Sequence, residues 1–98
     1  MEKEQVFVFI ITFFSEWGWQ ALGKIANPVT GKVEKNLNMV QQVIDILETL
    51  REKTKGNITG KEKHFLDSVI ADLQLNYVEE IKKEDKKDDK GKPEEKAG

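Results

Sequence analysis

The sequence predicts an all-α fold: a three-helix domain over residues 1–81, with a disordered charged C-terminal tail over residues 82–98. A long apolar helix 1 is expected to lie across an antiparallel hairpin of helices 2 and 3. Three observations predict this. Apolar residues recur at helical spacing in three separate segments. Pro and Gly mark the breaks between those segments. The C-terminal stretch is almost wholly Lys, Glu and Asp.

Helix 1 is expected over Val6 to Ile25. The run from Val6 to Ile11 alone would suit a buried strand, but the segment continues through Trp17, Ala21 and Leu22. Wound at 3.6 residues per turn, Gln5, Thr12, Glu16 and Gln20 align as one narrow polar stripe, whereas an alternation of two would scatter them over both faces. Pro28 and Gly31 then predict a turn within Asn27 to Gly31. Helix 2 is expected from Leu37 to Lys55. Asn36 is its cap, and Leu37, Val40, Val43, Ile44, Leu47 and Leu50 are its apolar stripe. Gly56 ends it, and Lys53 and Lys55 lie favourably against the helix dipole.

Thr59 and Glu62 have the spacing of a capping box, in which each side chain satisfies the other's backbone amide. Helix 3 follows, with Phe65, Leu66, Val69, Ile70, Leu73 and Tyr77 on one face, and is expected to fade after Ile81. The short link between helices 2 and 3 implies an antiparallel hairpin. From Lys82 to Gly98 the one apolar residue is Ala97. Such a segment has nothing to bury against the entropy of ordering it.

Composition limits the function classes. A chain of 98 residues with no Cys and a formal net charge of −2 has no disulfide framework, which favours a reducing, cytoplasmic setting. No block of Lys or Arg gives the basic face of a nucleic-acid binder, so no nucleic-acid partner is expected. High Lys and Glu content without Cys also suits a thermophile. Met1–Gln5 carries two Glu and one Lys, unlike the basic start of a signal peptide. The uncharged run from Gln5 to Ser15 is shorter than the ~20 apolar residues a membrane span requires.

The chain also resembles a known family. The residues that carry the resemblance are Ala21-Leu22-Gly23, Pro28 with Thr30-Gly31, Leu37, Ile44-Asp45 and Leu47. They continue with the string Lys53-Thr54-Lys55-Gly56-Asn57-Ile58-Thr59, then Glu62, then Leu73 through Tyr77-Val78. These resemble the small bacterial proteins grouped as domain of unknown function 1844, over most of residues 6–80. The chain departs from that pattern at Gly60, Lys61 and Gln74. The resemblance implies a helical fold and supplies no chemistry.

No catalytic, cofactor or metal site is expected. His64 is the sole histidine, and no Cys or recognisable ligand spacing accompanies it. Ser15 and Ser68 lack the Gly-flanked elbow of a nucleophile. Glu16 would be of interest as a buried carboxylate, but its place on the polar stripe predicts exposure. Lys53, Lys55, Asn57 and Thr59 form a candidate anion site, since a Gly turn entering a helix N-terminus can hold a phosphate. Capping explains the same residues, and Glu62 competes for the same amides.

The expected function is a cytoplasmic, self-associating interaction module without catalytic activity. A helix that is apolar nearly all round has to be covered. Apart from the polar stripe, one face of helix 1 carries Val6, Ile10, Phe14, Trp17 and Ala21. The other carries Phe7, Ile11, Gly18 and Leu22. This second face is the candidate for self-association, because Gly18 admits a close neighbour, and the expected partner is a second copy of the chain. The alternative is a peripheral membrane protein that beds helix 1, with Trp17 and Trp19, in the lipid interface.

Overall fold

The first helix forms where the sequence places it and ends earlier than its apolar run suggests. A computed structural model describes the backbone of residues 1–91 and the side chains of residues 1–85. In it α1 spans Lys3–Ala21, α2 Leu37–Lys53 and α3 Gly60–Gly91. At the start of α1, the Glu2 backbone N–H donates to Gln5 Oε1 at 3.0 Å. At its end, Gly23 N–H donates to Gln20 O and Lys24 N–H to Trp19 O, both at 3.0 Å. This pair of bonds is a Schellman closure, and Gly23 supplies the positive φ of 81° that it requires. The expectation of a helix as far as Ile25 is corrected on that ground: the glycine stops the helix before the apolar residues run out.

The connection from α1 to α2 is ordered by its own hydrogen bonds. Asn36 N–H donates to Ala21 O at 2.7 Å, and Leu22 pairs with Lys35 in an isolated antiparallel bridge. Between them Asn27 builds the predicted turn. Its Oδ1 accepts from the Val29 and Thr30 amides, and its carbonyl accepts from Gly31 N–H at 2.7 Å. The Asn36 cap on α2 forms as expected, its Oδ1 accepting from Met39 N–H at 3.1 Å.

The chain reverses over residues 54–59. The Thr54 hydroxyl donates to Leu50 O at 2.7 Å, and Gly56 takes a φ of 85°. The Thr59–Glu62 capping box then opens α3. Thr59 N–H donates to Glu62 Oε1 at 2.8 Å, and Glu62 N–H to Thr59 Oγ1 at 3.1 Å. The stripes of α2 and α3 meet as predicted, and α1 closes over them. Ile11, Leu22, Val40, Val43, Leu47, Leu66, Ile70 and Leu73 are fully buried at the centre. Phe7, Phe14, Trp19, Leu37, Leu50, Phe65 and Tyr77 pack around them, half-buried.

The expected end of the third helix at Ile81 is also corrected. α3 runs to Gly91, ten residues further, and so crosses the expected boundary between residues 81 and 82. Lys and Glu are good helix formers, and the helix is held at this point by ion pairs. Lys83 meets Glu80 one turn back at 3.2 Å, and Lys35, just before α2, reaches Glu84 at 3.2 Å. The rest of the expected tail, residues 92–98, lies outside the described residues.

Candidate functional site

The two faces of α1 have opposite fates. Successive side chains turn by about 100°, so Phe7, Ile11, Gly18 and Leu22 share one face and Val6, Phe9, Phe13 and Trp17 the other. The first face is the chain's own core. Ile11 is 0% exposed and Leu22 1%. Gly18 is buried at the point where α1 comes closest to the hairpin: a Cβ there would stand 2.9 Å from Leu73 Cδ2 and 3.4 Å from Val43 Cγ1. Phe7, Ile11, Gly18 and Leu22 were expected to meet a second copy. The structure corrects this, because α2 and α3 already occupy that face.

The opposite face is uncovered. Phe9 is 60% exposed and Phe13 57%, while Val6 and Trp17 are each exposed by more than a third. Phe13 and Trp17 are held in place by a neighbour. Phe14, half-buried in the core, packs edge-on against Phe13 at 5.5 Å between ring centroids and stacks on Trp17 at 5.9 Å. Along the C-terminal half of the stripe, Phe13, Glu16, Trp17 and Gln20 form one wall of a shallow groove, and Pro28 and Val29 form the other. Val29, at the lip, is 91% exposed. The polar stripe expected from the sequence flanks this face, with Gln5 and Glu16 exposed and Thr12 and Gln20 partly so.

Capping engages part of the candidate anion site. Lys53, Lys55, Asn57 and Thr59 do fall in one turn, with their side chains exposed. Amides of the turn are in part engaged, however. Glu62 holds the Thr59 N–H and is itself 8% exposed, and Asn57 N–H donates to Thr54 O at 2.8 Å. Two cations beside the turn are paired as well: Asp67 takes Lys63 at 2.8 Å and Arg51 at 3.1 Å, which holds its carboxyl below the usual carboxylate range.

One cluster was missed from sequence. Glu80 is a buried carboxylate that receives three lysines from three parts of the chain. Lys35 lies at 2.7 Å, Lys24 at 3.0 Å and Lys83 at 3.2 Å. The hydrogen bonds from Lys35 and Lys24 lower its pKa to about 2, against the opposing cost of burial, and Glu80 and Glu84 raise that of Lys35. Both partners from the α1–α2 connection are thereby tied to α3. The burial of Glu80, though not its partners, had a signal in the sequence: Glu80 follows Leu73 and Tyr77 at helical spacing, a carboxylate continuing a buried stripe.

His64, Ser68 and Glu16 are exposed, and Ser15 is half-buried on α1. Among the described residues no group of three or more His, Cys, Asp or Glu is placed to hold a metal ion. Among the same residues no helix is long and apolar enough to cross a membrane.

Comparison with known proteins gives a family and no activity. A family model described as Domain of unknown function (DUF1844) matches residues 4–79. The chain belongs to that family. No curated protein and no solved structure matches it.

Proposed function

We propose that this member of the DUF1844 family is a cytoplasmic, non-catalytic helical module that associates with itself through the outer face of α1. The observation that carries this reading is the uncovered stripe of Val6, Phe9, Phe13 and Trp17 on a helix whose opposite face is the core. An apolar patch of that kind on a small chain marks an interaction surface. Exposed aromatic side chains with few rotatable bonds are also the usual anchors of protein interfaces. The absence of Cys favours a reducing compartment.

Size-exclusion chromatography with light scattering tests the reading on the full chain, without lipid or detergent. The expected mass is at least twice that of one chain at micromolar concentration. Phe13→Asp is expected to give a single-chain mass with unchanged helical circular dichroism. A wild-type monomer would remove the reading.

A membrane surface is the second reading, favoured by Trp17 and by the exposed Val29 beside the stripe. The charge balance of the α1 segment counts against it. Glu2 at the cap of α1 and Glu4 and Glu16 within it outnumber Lys3, which opposes binding to anionic lipid. Flotation with vesicles of phosphatidylcholine and phosphatidylglycerol separates the two readings.

A further inference from the structure

The outer face of α1 reads nearly the same in both directions. About a centre near residue 11, Phe9 corresponds to Phe13 and Glu2 to Gln20, and to within half a residue of that centre Val6 corresponds to Trp17 and Gln5 to Glu16. Apolar positions map onto apolar positions, and polar flanks onto polar flanks. A two-fold interface needs this self-complementarity, because each residue must suit its own symmetry mate.

The polar flank selects the direction of pairing. In a parallel pair, the flank that carries Gln5 and Glu16 would lie against the opposite flank, that of Ile10 and Phe14, which offers no side-chain donor, and Glu2, near the centre of the face, would meet its own copy. In an antiparallel pair, Glu16 lies opposite Gln5. The Oε1 atom of Gln5 already accepts from Glu2 N–H, so its amide Nε2 is left as a donor for a carboxylate. Only the antiparallel arrangement matches donors with acceptors along the stripe.

The area is also adequate. Taking about 200 Å² for a whole aromatic side chain, Phe9, Phe13, Trp17 and Val6 present on the order of 300–400 Å² of apolar surface on each copy. A standard interface buries about 800 Å² per partner, a little over half of it apolar. The stripe together with its polar flanks and the Pro28–Val29 lip is of that size.

We propose that the occupant of this face is α1 of a second copy of the chain, paired antiparallel about a two-fold axis near residue 11, with Gln5 of each copy donating to Glu16 of the other. The proposal rests on the self-association reading above and specifies its geometry. In this pair Phe9 of one copy lies over Phe13 of the other, and the N-terminal half of one α1 enters the groove between Trp17 and Val29 of its partner. The Phe14 contacts that fix Phe13 and Trp17 prepare the surface before the second copy arrives.

The native chain has no Cys, so single cysteines report the pairing without background. Gln5→Cys and Glu16→Cys are prepared separately in the full chain, and both sites are exposed. Each variant is checked by circular dichroism for a melting curve close to that of the wild type, then treated with a short bismaleimide. In the antiparallel pair, identical positions stand about 15–18 Å apart along the axis, at ~1.5 Å per residue. Neither variant alone is therefore expected to cross-link, whereas an equimolar mixture of the two should give a covalent dimer. Efficient cross-linking of either variant to itself would overturn the antiparallel pairing. So would a dimer by light scattering whose mixture does not cross-link, and in both cases self-association would stand. A monomer by light scattering would overturn the geometry and the self-association reading together. A monomer that floats with the vesicles would assign the face to lipid.

Discussion

The inner and outer faces of α1 are built from the same kinds of residue and do different work. Phe7, Ile11 and Leu22 on one side and Val6, Phe9, Phe13 and Trp17 on the other are equally apolar, yet the first set is packed against α2 and α3 and the second faces outward. Gly18 makes the difference. Without a Cβ, α1 settles close over Leu73 and Val43 on that side, and a hairpin of two helices can cover only one side of a third. The lesson is that apolar content identifies a helix that must be covered, while the position of its smallest residue decides which face the chain covers by itself.

The largest expected effect comes from charging the inner face. Ile11→Lys places an unpaired ammonium in the centre of the core and is expected to cost about 4 kcal/mol or more, enough to unfold a marginal domain. Circular dichroism would show the loss of helix. A folded Ile11→Lys protein would mean that α1 does not depend on this face.

Gly18→Leu comes next. It forces a branched side chain against Leu73 and Val43, and an overpacking cost of about 2–3 kcal/mol is expected from urea unfolding. An unchanged midpoint would show that the close approach is not needed.

The ion cluster separates the body of the fold from its acid limit. The pKa of Glu80 is lowered in the folded state from 4.5 to about 2. Its contribution is therefore fully present above pH 4.5 and is lost as the pH falls from there toward 2. Allowing for the water around the three lysines, that contribution is about 1–2 kcal/mol. Glu80→Gln should flatten the decline of stability within that window and leave a chain already weakened at pH 7. A variant whose stability still falls as steeply between pH 4.5 and 2 would contradict the assignment.

The smallest effects belong to the hairpin turn. Thr59→Ala should cost about 1 kcal/mol through loss of the cap. Lys53→Ala and Lys55→Ala should stay within about 0.5 kcal/mol, as surface changes. If phosphate raises the melting temperature and the lysine variants abolish the gain, the turn holds an anion after all.

The fold was legible where local chemistry and periodicity agree. Asn36, Thr59 with Glu62, and the stripes of α2 and α3 each name their own partners within a few residues. α1 was harder for a physical reason. With three-quarters of its surface apolar, periodicity could exclude the Gln5–Glu16 stripe from the core but could not choose between the remaining faces. Gly18 was the available signal, and it marked a close approach within the chain instead of between copies. Gly23 was likewise outweighed by the apolar residues beyond it, although its φ ends the helix. The Glu80 cluster depends on Lys24 and Lys35, which are distant in sequence and are brought together by the α1–α2 connection. No local pattern contains that information.

The division of labour between the two faces is tested most directly by thermal unfolding as a function of protein concentration. Association stabilises the folded state by mass action and makes the midpoint depend on concentration. The account predicts that the wild-type midpoint rises over a hundredfold increase in concentration, and that Phe13→Asp unfolds cooperatively at a midpoint independent of concentration. A wild-type midpoint that does not move, or a Phe13→Asp chain that is unfolded at every concentration, would contradict it.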